Sequence, residues 1–84
     1  SVKLEDNTKK ALKELSEILI SEKLQEDLQN TIYQIAKSNN VQPRDFFQIL
    51  YKIILNTTRG PKIGPFILDI GSKKVGKTIQ EYLD

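Results

Sequence analysis

The segment from Arg59 to Phe66, with the sequence RGPKIGPF, has the residue types and spacing that point most directly to binding chemistry. Its two prolines fix backbone φ angles and its two glycines permit positive ones, so we expect a rigid loop. Such a loop would hold Arg59 and Lys62 in fixed positions, which suits a clamp for a phosphate group or a nucleic-acid base. The alternative is a helix–helix connector that carries two incidental charges.

A second motif, from Gly71 to Thr78, fits the phosphate-binding spacing G-x-x-x-x-G-K-[ST]. A true phosphate-binding loop joins a strand to a helix in a parallel sheet and works with a distant acidic residue that holds magnesium. Here the motif follows a short predicted helix, and the sequence shows no second strand. We therefore do not assign nucleotide binding to it.

The composition excludes several kinds of active site. The chain has no cysteine and no histidine, which rules out a disulfide scaffold, a thiolate metal site and every mechanism that needs an imidazole base. The acidic residues are scattered, and we find no carboxylate pair for acid–base catalysis. Asp69, the lone acid between Phe46 and Lys77, is better explained by a salt bridge or a surface position than by catalysis. We expect no catalytic residue, metal site or cofactor in this chain.

Positive charge is concentrated in the second half of the chain. Thirteen basic and eleven acidic residues give a net charge of +2. Residues 1–42 carry six lysines against seven acids, and residues 43–84 carry seven basic residues against four acids. A basic half in a small globular domain is compatible with a phosphate-rich partner, although a solvated lysine-rich surface explains it equally simply.

The length of 84 residues fits one domain with a small core. The longest purely apolar run, Ile53 to Leu55, is far too short to span a membrane, and we expect no membrane partner. The chain begins with serine and contains no methionine, so we expect a processed product or a domain excised from a longer protein.

The first half of the chain predicts two helices. Asp6 or Asn7 is a candidate N-cap for the first helix, and Ser21 is a candidate break and cap for the second. If Ser21 does not interrupt the chain, the two become one long helix. Apolar residues recur at three- and four-residue steps along both segments; they are Ala11, Leu12, Leu15, Ile18 and Leu19 in the first and Leu24, Leu28, Ile32 or Thr31, Ile35 and Ala36 in the second. Asn39 and Asn40 are expected to end the second helix.

The second half predicts two or three further helices. Pro43 suits the first position of a helix that is apolar on most of its circumference, and we expect this helix to be central; a buried strand over residues 52–55 is the alternative. Pro65 is expected to start a short helix that Gly71 ends, with Ser72 as the cap of a last helix. The sequence therefore predicts an all-α fold, a compact bundle of four to five helices in a single domain.

Three stretches of the second half resemble the C-terminal end of class I lysyl-tRNA synthetases, the archaeal type. They are FQILYKIIL from Phe47, RGPKIGPFI from Arg59 and GSKKV from Gly71. The resemblance covers about residues 42–83, and the loop is its specific part. Class I glutamyl-tRNA synthetases have a related but looser turn in their anticodon domain and are the second possibility within the same class.

The resemblance implies that the chain is the non-catalytic C-terminal domain of an ATP-dependent lysine–tRNA ligase, on the anticodon side of tRNA, and that it is cytoplasmic. The expected partners are tRNA and the N-terminal catalytic domain of the same chain, where ATP would bind. The candidate RNA-binding residues are Arg59 and Lys62 in the loop, with Lys73, Lys74 and Lys77 as contacts to backbone phosphates. The competing hypothesis is a helical protein–protein interaction module with no nucleic-acid role.

Overall fold

Five α-helices account for most of the chain in the computed structural model, which describes residues 4–23 and 27–84. They are α1 (Asp6–Ser21), α2 (Leu28–Ser38), α3 (Pro43–Leu55), α4 (Ile63–Ile70) and α5 (Ser72–Leu83). The described residues contain no strand. The predicted all-α bundle of four to five helices is therefore confirmed, and the strand considered for residues 52–55 is wrong.

The break between the first two helices is confirmed, but Ser21 does not cap α2. Ser21 is the last residue of α1, where its hydroxyl donates a hydrogen bond to the carbonyl oxygen of Ile18 at 2.9 Å. The cap of α2 is Asp27, whose Oδ1 accepts from the backbone N–H of Asn30 at 3.0 Å. Leu24, which we placed in the apolar stripe of α2, lies outside the described residues.

The predicted cap of α1 is also wrong. Glu5 occupies the N-cap position without a side-chain hydrogen bond to the helix. Asn7 instead uses its Nδ2 to donate to the carbonyl oxygen of Asn40, 3.1 Å away, and thereby ties the start of α1 to the turn after α2. A long-range contact has replaced the local one that the sequence suggested, because Asn side chains serve either purpose.

The later boundaries are mostly as predicted. Asn40, with φ of 59°, follows the end of α2, and Pro43 is the first residue of α3. Gly71, with φ of 112°, separates α4 from α5. Two details differ: α4 begins at Ile63 rather than at Pro65, and Ser72 is the first residue of α5 with no capping bond. Pro65 is tolerated because the first turn of a helix needs no N–H donor there.

The core is built around α1 and α5 rather than around α3. These two helices make the most extensive contact in the bundle, and α3 packs less closely against α2, α4 and α5. Only Phe46 and Leu50 of α3 are fully buried, while its other apolar residues are half-buried. The expectation that α3 is central is therefore wrong. Its apolar circumference is wide, but α1 contributes more side chains to the interior: Thr8, Ala11, Leu12, Leu15, Ser16 and Leu19.

Gly76 allows the close approach of α5 to α1. A Cβ atom at this position would lie 2.7 Å from Cγ1 of Ile20 and 3.0 Å from the backbone oxygen of Ser16. Ser16 is itself buried, and its hydroxyl donates to the carbonyl oxygen of Lys13 at 2.7 Å. Because one of the atoms that a Cβ would meet belongs to the α1 backbone, the two helices have no room for a larger residue.

We expect Gly76→Ala to destabilise the chain by about 1–3 kcal/mol, because overpacking forces α1 and α5 apart. This is the net loss of stability. It remains after the gain of about 1 kcal/mol in helix stability that alanine has over glycine. Urea unfolding followed by circular dichroism measures the change, and Lys77→Ala, at an exposed position of the same helix, is the matched control. A Gly76→Ala variant more stable than the unaltered chain would contradict the tight contact.

Candidate nucleic-acid interface

The loop that carries Arg59 and Lys62 is fixed to α3 through Tyr51. The Tyr51 hydroxyl donates to the carbonyl oxygen of Pro61 at 2.8 Å. A Cβ atom at Gly60 would lie only 3.6 Å from two carbons of the same ring, so the loop backbone passes directly over it. The Arg59 backbone N–H also donates to the Thr57 hydroxyl at 2.9 Å. These contacts support the expectation of a rigid loop, and they give Tyr51 a structural role.

The start of α4 is held against the first turn of α2. The backbone N–H of Gly64 donates to Oε1 of Gln29 at 2.7 Å. A Cβ atom at Gly64 would lie 2.7 Å from the backbone nitrogen of Gln29, so only glycine permits this approach. The second glycine of the RGPKIGPF segment thus sets the distance between two helix starts. Lys62, as the N-cap of α4, is placed beside Asp27, the cap of α2.

The two predicted loop residues have different surroundings. Arg59 is exposed in the turn between α3 and α4. Lys62 is also exposed, and its side chain forms one wall of a shallow groove between α2, α3 and α4. The groove extends past Lys62 toward Pro65 and Leu68. Its lining near α2 consists of Asp27, Gln29, Asn30, Tyr33, Phe47 and Lys62.

Tyr33 is a candidate functional residue that sequence reasoning did not select. It is 40% exposed, one of the most exposed large apolar side chains in the described chain, and it lines the same groove as Lys62. Nζ of Lys37 lies 5.5 Å from the centre of its ring, at cation–π distance. Gln29, Tyr33 and Lys37 are four residues apart and therefore share one face of α2. This four-residue spacing is visible in the sequence. Tyr33, however, lies beside the apolar stripe of α2, and the sequence alone does not distinguish an exposed ring from a buried one there.

The three predicted lysines of α5 share one exposed face. The buried face of this helix is formed by Ser72, Val75, Gly76 and Ile79. Lys73, Lys74 and Lys77 lie on the opposite side, because residues three and four apart are neighbours on a helix surface. Lys73 and Lys74 are in the first turn, where the positive end of the helix dipole makes lysine unfavourable. An anion bound there would relieve that repulsion.

The candidate residues therefore belong to two different elements of the structure. Arg59 and Lys62 belong to the loop before α4, and the three lysines belong to α5, which follows α4. The motif from Gly71 to Thr78 does not form a phosphate-binding loop, because its residues from Ser72 onward are helical. Within residues 4–23 and 27–84, no cluster of three acidic side chains suited to a metal ion occurs. No helix in this part of the chain is long and apolar enough to cross a membrane.

The described residues form a small helical domain with exposed cations in the turn before α4 and on α5. The chain is 54% identical over 79 residues to a lysine–tRNA ligase of Cenarchaeum symbiosum (strain A), covering 94% of this chain and 15% of that protein. A lysine–tRNA ligase of Borreliella burgdorferi is 39% identical over 83 residues, covering 95% and 16%. One of Methanopyrus kandleri is 30% identical over 86 residues, covering 99% and 16%.

The resemblance to lysyl-tRNA synthetases is thus confirmed across nearly the whole chain, including the first forty residues. The chain corresponds to a domain of lysine–tRNA ligases and spans about a sixth of the length of the relatives it matches. No family model matches the chain, and no solved structure matches it.

We expect Gly64→Ala to push α4 away from α2, because the new Cβ would meet the Gln29 backbone at 2.7 Å and 2.9 Å. The expected loss of stability is about 1–3 kcal/mol. Gly60→Ala is the control, since its Cβ would first meet Cδ1 of Leu55, the end of a flexible side chain. Equal unfolding midpoints in urea for the two variants would contradict the tight α2–α4 contact.

Proposed function

We propose that this chain is the non-catalytic, anticodon-side tRNA-binding domain of a class I, ATP-dependent lysine–tRNA ligase, at the C-terminal end of that enzyme. The similarity of nearly the whole chain to lysine–tRNA ligases supports this proposal and favours lysine over the glutamyl alternative. ATP and the amino acid would bind on the catalytic domain, in the remaining part of the enzyme, in the cytoplasm. The role of this domain is to position the tRNA.

The observation that carries the RNA-binding role is the placement of Lys73 and Lys74. Both are exposed in the first turn of α5, where each positive charge opposes the helix dipole. Acidic residues in the first turn of α5 would stabilise the helix better than lysines do. Lysines at such a position are explained by a polyanion that binds the same face, and Lys77 extends this face by one turn.

The loop residues serve a complementary purpose in this proposal. Arg59 and Lys62 project from a frame that Tyr51 and Gly64 hold in place. A preorganised cation loses little conformational entropy when it binds a phosphate, so a rigid loop contributes more to affinity than a mobile one. The two groups of cations would then contact different stretches of one RNA backbone.

We expect the double variant Lys73→Glu/Lys74→Glu to bind tRNA at least about ten times more weakly than the unaltered full-length ligase, because phosphate contacts become repulsions. The same variant of the 84-residue chain should be equally or more stable to heat, since acidic residues favour the first turn of a helix. Affinity is measured by filter binding over a range of salt concentrations. The slope of log K against log salt should become shallower by about 1.5 for two lost contacts.

Lys9→Glu/Lys10→Glu is the matched control for this experiment. It changes the net charge equally and alters two adjacent exposed lysines, near the start of α1. If the two double variants weaken tRNA binding to the same extent, the effect is one of net charge alone. Binding that does not change with salt, or no binding at all, would favour the protein–protein module.

A further inference from the structure

The groove between α2, α3 and α4 combines the chemical groups that recognise an unpaired RNA base. Single-stranded RNA is bound by aromatic rings that stack on bases, by polar groups that contact base edges and by cations near the backbone. Tyr33 and Phe47 supply rings, Gln29 supplies an amide, and Lys62 supplies a cation along the same groove. None of these groups except Lys62 was a candidate from the sequence.

The Tyr33 ring is not required by the core. The side chains of α2 that face the interior are Leu28, Ile32, Ile35 and Ala36. Tyr33 lies on the flank of this stripe and keeps 40% of its surface exposed. Covering an exposed ring with a flat apolar partner lowers the free energy, and a nucleic-acid base is such a partner.

Two cations lie near the ring. Nζ of Lys37 lies 5.5 Å from the ring centre, and Lys62 lines the same groove as Tyr33. A nucleotide stacked on Tyr33 carries a phosphate on each side of its sugar, so two flanking cations match its charge. Lys37 lies outside the basic half of the sequence and does not line the groove itself, but α2 places its Nζ beside the Tyr33 ring.

The polar groups beside the ring complement a base edge. Oε1 of Gln29 already accepts the Gly64 N–H, which leaves the amide nitrogen of Gln29 as a donor. Asp27 contributes carboxylate oxygens, one of which accepts the Asn30 backbone N–H. The groove therefore offers both donor and acceptor groups, as the Watson–Crick edge of a base requires. The Asp27 carboxylate also disfavours a phosphate at that end.

From these observations we infer that the groove is a binding site for one unpaired RNA base, stacked on Tyr33, with its flanking phosphates on Lys37 and Lys62. This inference rests on the proposed RNA-binding function and assigns it a specific place on the domain. The lysines of α5 would then supply contacts that do not depend on sequence, while the groove would supply contacts to a base.

The test compares Tyr33→Leu, Tyr33→Phe and Lys62→Gln in the full-length ligase. The probe is the anticodon stem–loop of lysine tRNA, with 2-aminopurine substituted for one loop base at a time. We expect Tyr33→Leu to weaken binding about ten-fold with an unchanged salt slope, because a stacked ring releases no counterions. Tyr33→Phe should bind normally, and Lys62→Gln should make the salt slope shallower by about 0.7.

Gln34→Leu, at the exposed neighbour of Tyr33 on α2, is the control for a leucine on this helix and should bind normally. The unaltered protein and Tyr33→Phe should change the fluorescence of one loop aminopurine, and a fully paired RNA hairpin should bind more weakly. If Tyr33→Leu proves unstable, the aminopurine signal of the unaltered protein decides the question.

Two results would overturn the inference while leaving the proposed function intact. One is unchanged stem–loop affinity in Tyr33→Leu, together with an unaltered protein that still binds tRNA with a steep salt dependence. The other is a stem–loop that binds the unaltered protein with no change in fluorescence at any loop aminopurine, which would show that no loop base stacks in the groove. Absence of any tRNA binding by the unaltered ligase would overturn both proposals.

Discussion

The close contact between Gly64 and Gln29 is the constraint on which the candidate interface depends. It joins the start of α4 to the start of α2 through one hydrogen bond of 2.7 Å and a backbone approach that leaves no room for a Cβ atom. Lys62 precedes α4 by one residue, so its position relative to Tyr33 follows from this contact. A looser junction would widen the groove and separate its cation from its ring.

The helices that form most of the core are not the helices that surround the groove. The α1–α5 pair provides the most extensive packing and buries the largest share of the interior. The smaller contacts of α2, α3 and α4 surround the groove, and the exposed side of α5 carries three lysines. Cations can therefore occupy unfavourable positions, such as the first turn of α5, because the packing of the opposite face stabilises that helix independently.

The similarity to lysine–tRNA ligases and the physical properties of the surface lead to the same proposal by different routes. The matches cover nearly all of this chain but about a sixth of each relative, so they show similarity to one part of lysine–tRNA ligases and assign no task to it. The charge distribution, the rigid loop and the exposed ring suggest that task. They are the features from which we propose RNA binding.

The sequence by itself determined the helical class and most helix ends, because periodicity, proline and glycine act over a few residues. It also identified the exposed cations Arg59, Lys62, Lys73, Lys74 and Lys77. Only the tertiary structure decided that α1 rather than α3 is central, that Asn7 bonds to Asn40, and that Tyr33 shares a groove with Lys62. These outcomes depend on which helices meet, and no local pattern encodes a distance between residues thirty positions apart.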